Sequence, residues 1–205
     1  MLNRSTFLAA FVGAVVCSAS LIAGETTKAD RDALVAQLNR TQELFLKSLD
    51  GVSDAQWKWK PAPDRWSVGE VAEQITKAED LFRGRVEGML KATPATPELL
   101  AKTKGRDELI LKAVPDRSRK ATAPEPLVPK GSFADKAALI AAFKASRAKT
   151  IALASGPADL RAFANADLPI GDSDGYQGLL FQSAHTERHT KQILEVKATP
   201  GYPAK

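Results

Sequence analysis

The 205-residue sequence predicts an all-α fold: a four-helix bundle with a long proline-rich connection between its second and third helices. Three observations predict it. Four long segments repeat apolar residues at spacings of three, four and seven, the period of a helix buried on one face. No stretch alternates apolar and polar residues as a half-buried strand would. Capping patterns led by Ser67, Ser132 and Asp174 stand where three of the four segments begin.

The chain opens on a different kind of segment. Arg4 supplies a short positive region, an apolar run follows from Phe7 to Val16, and small residues come next at 18–20 and 23–24. That layout predicts a secretory signal peptide over residues 1–24 and a periplasmic or secreted product with no membrane attachment after cleavage. An uncleaved anchor is the alternative, although the strongly apolar core is shorter than the roughly 20 residues a span needs. Cys17, the single cysteine, lies inside this segment, preceded by Val16 where a lipoprotein site wants a small residue. Cleavage would leave no thiol nucleophile, thiolate ligand or disulfide. It would also take the net charge from +5 to +4. The 29 Lys+Arg and 24 Asp+Glu are interspersed, which reads as solvated surface. No basic stripe interleaved with aromatics is present, so nucleic acid is not an expected partner.

The expected domain covers residues 28–198, with a tail over 199–205. Its first helix spans Asp30 to Leu49, with Leu34, Leu38, Phe45 and Leu49 on one face and Gly51 as the stop. The stretch from Gln56 to Trp66 holds all three tryptophans and two prolines, and reads as a non-helical connection. The indoles admit two roles, an aromatic platform for a small-molecule ligand or a plug for one end of the bundle; large buried indoles favour the plug.

The second helix starts at Ser67, where Glu70 completes a capping box and Trp66 with Val71 can form a hydrophobic staple. It runs to about Lys91, with Val71, Ile75, Ala78, Phe82 and Met89 as its apolar stripe. Gln74 sits at the edge of that stripe, where a buried amide must find partners. The segment 91–130 carries six of the twelve prolines. Arg106 to Val114 suits a short helix; the rest reads as irregular, either a lid over one end of the bundle or a surface loop. The third helix spans Ser132 to Ser155, with Ser132 and Asp135 as a capping pattern. Gly171 to Gly175 lacks the oxygens of a calcium loop and reads as a turn that caps the last helix through Asp174 and Gln177.

That last helix carries the only two histidines, His185 and His189. Four residues apart on a helix, both rings leave one face, and neutral imidazole is a common metal ligand. The pair is not the zinc-protease motif, which needs Glu directly after the first His. Glu187 lies about 200° around the helix from His185. Read alone, the pair is a metal site or two ordinary hydrogen-bonded histidines.

The Trp66-Ser67-Val68-Gly69-Glu70-Val71 start, the tryptophan-proline approach to it, and His185-Thr-Glu-Arg188-His189-Thr-Lys-Gln192-Ile193 together resemble the DinB/YfiT-like superfamily over about residues 30–197. The resemblance implies a four-helix bundle, often a homodimer, in which many members bind a divalent metal such as zinc or nickel. Three histidines hold it, one from the second helix and two from the last. Some members are transferases that use bacillithiol or mycothiol. Carried over, the last-helix ligands fall on His185 and His189. The second-helix ligand falls eight residues after Trp66, on Gln74, which departs from the family pattern. An amide oxygen is a weaker, neutral ligand for zinc or nickel than imidazole. Gln74 either completes a loose three-point site or hydrogen-bonds a histidine in a site that holds nothing.

Two functions follow as alternatives. One is a metal-dependent hydrolase or transferase with a metal-activated water or a substrate thiolate as nucleophile. Its only acidic candidate for a base is Glu70, and export removes it from cytoplasmic thiols. The other is a non-catalytic exported binding or structural module, favoured by Gln74 and by the lack of a clear base. No catalytic residue is assigned, and no cofactor beyond a divalent metal is implied.

Overall fold

The computed structural model describes residues 24–118 and 121–204. Apart from Gly24, the signal peptide predicted over residues 1–24 lies outside the described residues, Cys17 with it. The protein is mostly helical, an all-α fold. No helix among the described residues is long and apolar enough to cross a membrane.

Helix α1 (Lys28–Leu49) starts two residues before its expected position, because Thr27 and Asp30 form a capping box. Each side chain accepts the other's backbone N–H at 3.0 Å. A short helix α2 (Asp54–Lys58) then corrects the expectation that the tryptophan stretch is wholly non-helical. Pro61 and Pro63 lie beyond its C-cap, Trp59, so they do not oppose it, and Ser53 with Gln56 supplies its capping box.

Helix α3 (Val68–Met89) opens as expected. Ser67 Oγ accepts from Glu70 N–H at 3.2 Å, and the Glu70 carboxylate accepts from Ser67 N–H at 2.7 Å. The segment after it is more ordered than its prolines suggest. Helix α4 (Pro97–Thr103) begins at a Thr96 cap with proline in the first turn, where its missing N–H costs nothing. Helix α5 (Asp107–Ala113) and a 3-10 turn at Glu125–Leu127 follow. Leu100, Ile110 and Leu127 anchor these pieces by burial.

Helix α6 (Lys136–Ser155) starts later than the Ser132 pattern predicts. Its cap is Asp135, which accepts from Ala138 N–H at 2.7 Å. Ser132 is drawn away by Glu73 on α3, whose carboxylate accepts its hydroxyl at 2.8 Å. The backbone N–H groups of Lys130, Gly131 and Ser132 converge on the same carboxylate at 2.9–3.2 Å. Two residues of strand, β1 (Ala164–Asn165) and β2 (Ser173–Asp174), pair antiparallel, with Ala164 opposite Asp174. They lead into helix α7 (Gly175–Lys197), capped by Asp174 and Gln177 as expected. The tail folds back: Tyr202 packs edge-on against Trp59 at 5.5 Å, and the Pro203 carbonyl accepts from Gln56 Nε2 at 2.8 Å.

Both α1 and α3 pack on α7 and on α6. Thr41 touches Ser183 and Lys197 reaches the Ser48 carbonyl, so α1 and α7 run parallel. Gln74 meets His185 while Gln182 meets Glu79, so α3 runs against α7. Close approach there requires Gly178, since a Cβ at that position would lie 2.6 Å from Val86 Cγ2.

The apolar core has two clusters. One gathers Leu34, Leu38, Phe82, Val86, Leu179 and Phe181. The other gathers Phe45, Val71, Ile75, Phe143 and Ile193, with all three tryptophans against its edge. That packing favours the plug over the platform for the indoles. Buried polar groups gather near the place where one cluster gives way to the other: Thr41, Arg147 and Thr186 fall between the two along their helices, and Glu79 and Gln182 lie just inside the first. Arg147 is fully buried and grips Glu79 with two hydrogen bonds of 2.6 and 2.8 Å. Its remaining donors go to the Leu38 carbonyl, Thr41 and Thr186. Such a pair is tolerated because every donor and acceptor is met.

Candidate metal centre

The apolar stripe of α3 carries Gln74 inward until it is 2 % exposed. On α7, which is buried over most of its length, His185 is 8 % exposed. The two meet across the α3–α7 interface, with Gln74 Nε2 3.2 Å from His185 Nε2. His189, one turn on and only partly buried, stacks tilted on His185 with ring centroids 4.4 Å apart. The structure thus brings Gln74 and His185 into direct contact and sets His189 beside them.

Hydrogen bonding defines the His189 tautomer. Arg117 Nη1 donates to Gln192 Oε1 at 3.2 Å, and a guanidinium can only donate. That oxygen also sits 2.8 Å from His189 Nδ1, so Nδ1 carries the proton and donates. The Nε2 lone pair of His189 is left available. His185 has no such support. If the Gln74 amide N–H donates to His185 Nε2, the Gln74 oxygen and His185 Nδ1 are both buried without a partner. Reversing the amide merely exchanges which atoms are left over. An unmet buried polar atom costs about 1–3 kcal/mol, and no group among the described residues meets these two.

Burial is the main influence on both rings and keeps them neutral. It pushes His185 well below its ordinary value, with His189 and Arg188 adding to the effect. It pushes His189 down to about 4, partly offset by Gln192 and reinforced by Arg117 and Arg188. Phe82 and Phe181 form an apolar wall, with ring centroids 5.1 and 6.1 Å from His185.

Neutral imidazoles are in the form that ligates metal. The 3.2 Å separation of Gln74 and His185 is measured to the amide nitrogen, which has no lone pair to give a metal, so an ion would need the amide turned to present its oxygen. The donor set an ion would meet, one turned amide oxygen and two imidazole nitrogens, suits a divalent metal in kind. It is poor in charge: among the described residues, no group of three His, Cys, Asp or Glu could hold a metal. The arginines beside the rings add positive charge, which opposes a cation.

The one acidic candidate for a base is engaged elsewhere. Glu70 caps α3 and pairs with Lys60 at 3.0 Å. Glu187 faces Arg40 and Lys191 on the outer side of α7, as its angle on the helix predicts. Sequence reasoning assigned no role to Gln192, although its position three residues after His189 was a usable signal. Arg117 carried no signal, because only the folded 114–118 segment brings it to α7. Two cavities, about 530 and 280 Å³, lie elsewhere. The larger is bounded by Trp57, Gly69, Phe133 and Lys136, the smaller by Leu100, Asp107 and Arg161, and neither is lined by Gln74, His185 or His189.

A family model described as the DinB superfamily matches residues 37–193. No curated protein matches the sequence. No solved structure matches it either.

Proposed function

Starting from the fact that this chain belongs to the DinB superfamily, we propose that it is an exported four-helix bundle that weakly binds a divalent metal, zinc or nickel, through Gln74, His185 and His189. We read it as a binding module rather than a catalyst. The observation that carries the reading is the Gln74–His185 contact, which leaves two buried polar atoms unmet whichever way the amide is turned. An ion held by the amide oxygen and the imidazole nitrogens would meet the amide in a way no protein group does. Export rests on the charge and hydropathy layout of residues 1–24.

A divalent ion here would supply Lewis-acid polarisation of a bound oxygen or sulfur group. The chain's own residues do the rest. Gln192 orients His189 by accepting its Nδ1 proton, and Phe82 and Phe181 keep water from His185. With Glu70 engaged as a cap and both imidazoles assigned to the ion, no side chain among the described residues beside the pair is left to take a proton from a substrate, and for this reason the reading stops at binding.

Titration calorimetry with zinc chloride and nickel chloride on tag-free protein tests it. Wild type should bind weakly, one strong nitrogen ligand short of a three-histidine set. Gln74→His should tighten binding substantially, and His185→Ala should abolish it in either background. Tight wild-type binding would make Gln74 a full ligand and return the enzyme reading. No gain from Gln74→His would mean that residue 74 does not complete the site, and the reading would fall.

A further inference from the structure

The segment that follows α5 lies along α7 beside the histidine pair. Val114 packs against one core cluster and Pro115 is buried. Arg188, the neighbour of His189, donates to the Val114 carbonyl at 3.2 Å and to the Asp116 carbonyl. Asp116 in turn accepts from the Ser118 N–H at 2.9 Å, which shapes the turn.

Arg117 closes this segment onto α7. Its Nε and Nη2 hold the two Glu195 oxygens at 2.7 and 2.8 Å. Its Nη1 donates to Gln192 Oε1, the same oxygen that accepts the His189 proton. One guanidinium therefore ties the loop to the helix and to the group that orients His189. The planar fork of arginine suits this double grip, and lysine, a point charge, could not reproduce its bidentate hold on Glu195. The Glu195 end is about half exposed to solvent. An ion pair of that kind contributes little to global stability, so it can be released without unfolding the protein.

We propose that residues 114–118 form a strap over the histidine pair, latched by Arg117 on Glu195 and Gln192, and that release of Arg117 admits small molecules to His189. The inference rests on the reading of this pair as the functional site, but its test needs no metal. The probe is diethyl pyrocarbonate. An imidazole nitrogen attacks one carbonyl, an N–C bond forms, ethyl carbonate leaves and the ring proton passes to solvent. His185 and His189 are the only histidines in the chain, so peptide mass mapping assigns each product.

Arg117→Ala and Glu195→Ala should each speed modification of His189 several-fold with an unchanged thermal midpoint. Arg117→Lys should fall between them and wild type. Equal rates in wild type and both alanine variants would overturn the strap. So would faster modification that merely tracks a fall in thermal midpoint, because that would mark Arg117 as structural. If no variant binds zinc or nickel yet the alanine variants react faster, the strap stands and the metal reading fails.

Discussion

Removing the carboxylate from the buried Glu79–Arg147 pair should be among the most damaging single changes in this protein. Both side chains are at most 1 % exposed, so neither charge has water to fall back on. Glu79→Ala would strip the partners from Arg147 Nε and remove one of the two from Nη2, leaving Thr186 to the latter. Breaking one side of such a pair costs about 3–5 kcal/mol, because the remaining charge stays buried and unpaired. At about 2–4 °C per kcal/mol for a chain of this size, the thermal midpoint should fall by roughly 6–20 °C. The double variant Glu79→Leu/Arg147→Met removes both charges at similar volume. Thr41, Thr186 and Gln182 keep other partners in Ser183, the Gln182 carbonyl and Thr150. The double variant should therefore be more stable than Glu79→Ala alone. Urea unfolding of wild type and the two variants measures this, provided the slope against denaturant is shared. A loss below about 1 kcal/mol for Glu79→Ala would refute the argument that an uncompensated charge is the cost. A double variant less stable than Glu79→Ala alone would refute it as well.

Two further predictions follow. Burial pushes the Glu73 carboxyl up, but the N–H groups of residues 130–132 and the Ser132 hydroxyl outweigh it and hold it below 4.5. The unfolded chain then binds more protons than the native one, so this stabilisation is complete above pH 4.5 and is lost as pH falls through the lowered native value; Glu73→Gln should flatten that part of a stability–pH curve, and an unaltered curve would count against it. For export, the intact mass of protein recovered from the periplasm should lack the first 19 to 24 residues, whereas a full-length mass would favour an uncleaved anchor.

What the sequence revealed was set by the range of the interactions. Ser67 and Glu70 cap each other across three residues, so the start of α3 is legible without knowing anything else. The same local grammar misleads at Ser132, whose hydroxyl is taken by Glu73, 59 residues away. Ser53 with Gln56 and Thr96 with Pro97 were readable start signals for α2 and α4, hidden by the prolines and polar residues around them. Gln74 drew notice because an amide at the edge of an apolar stripe is a local anomaly. Glu79 and Arg147 drew none. Each looks like an ordinary surface charge on its own helix, and only packing α3 against α6 reveals that they are buried together. Arg117 was invisible for the same reason, since its partners lie 75 and 78 residues away.

The place of α7 also dictates when the fold can form. The first and second long helices both rest on the last one, and little of their apolar surface meets directly. A chain made only as far as α6 lacks this central piece. Up to that point α1 and α3 have mainly α6 to shelter their inner faces, and the Thr26 clasp on Asp159 and Arg161 closes only just before α7 appears. Assembly therefore waits for α7 and is governed by contacts distant in sequence, rather than accreting helix by helix. A truncation anywhere before residue 175 would leave a sticky, incompletely folded product instead of a smaller stable domain.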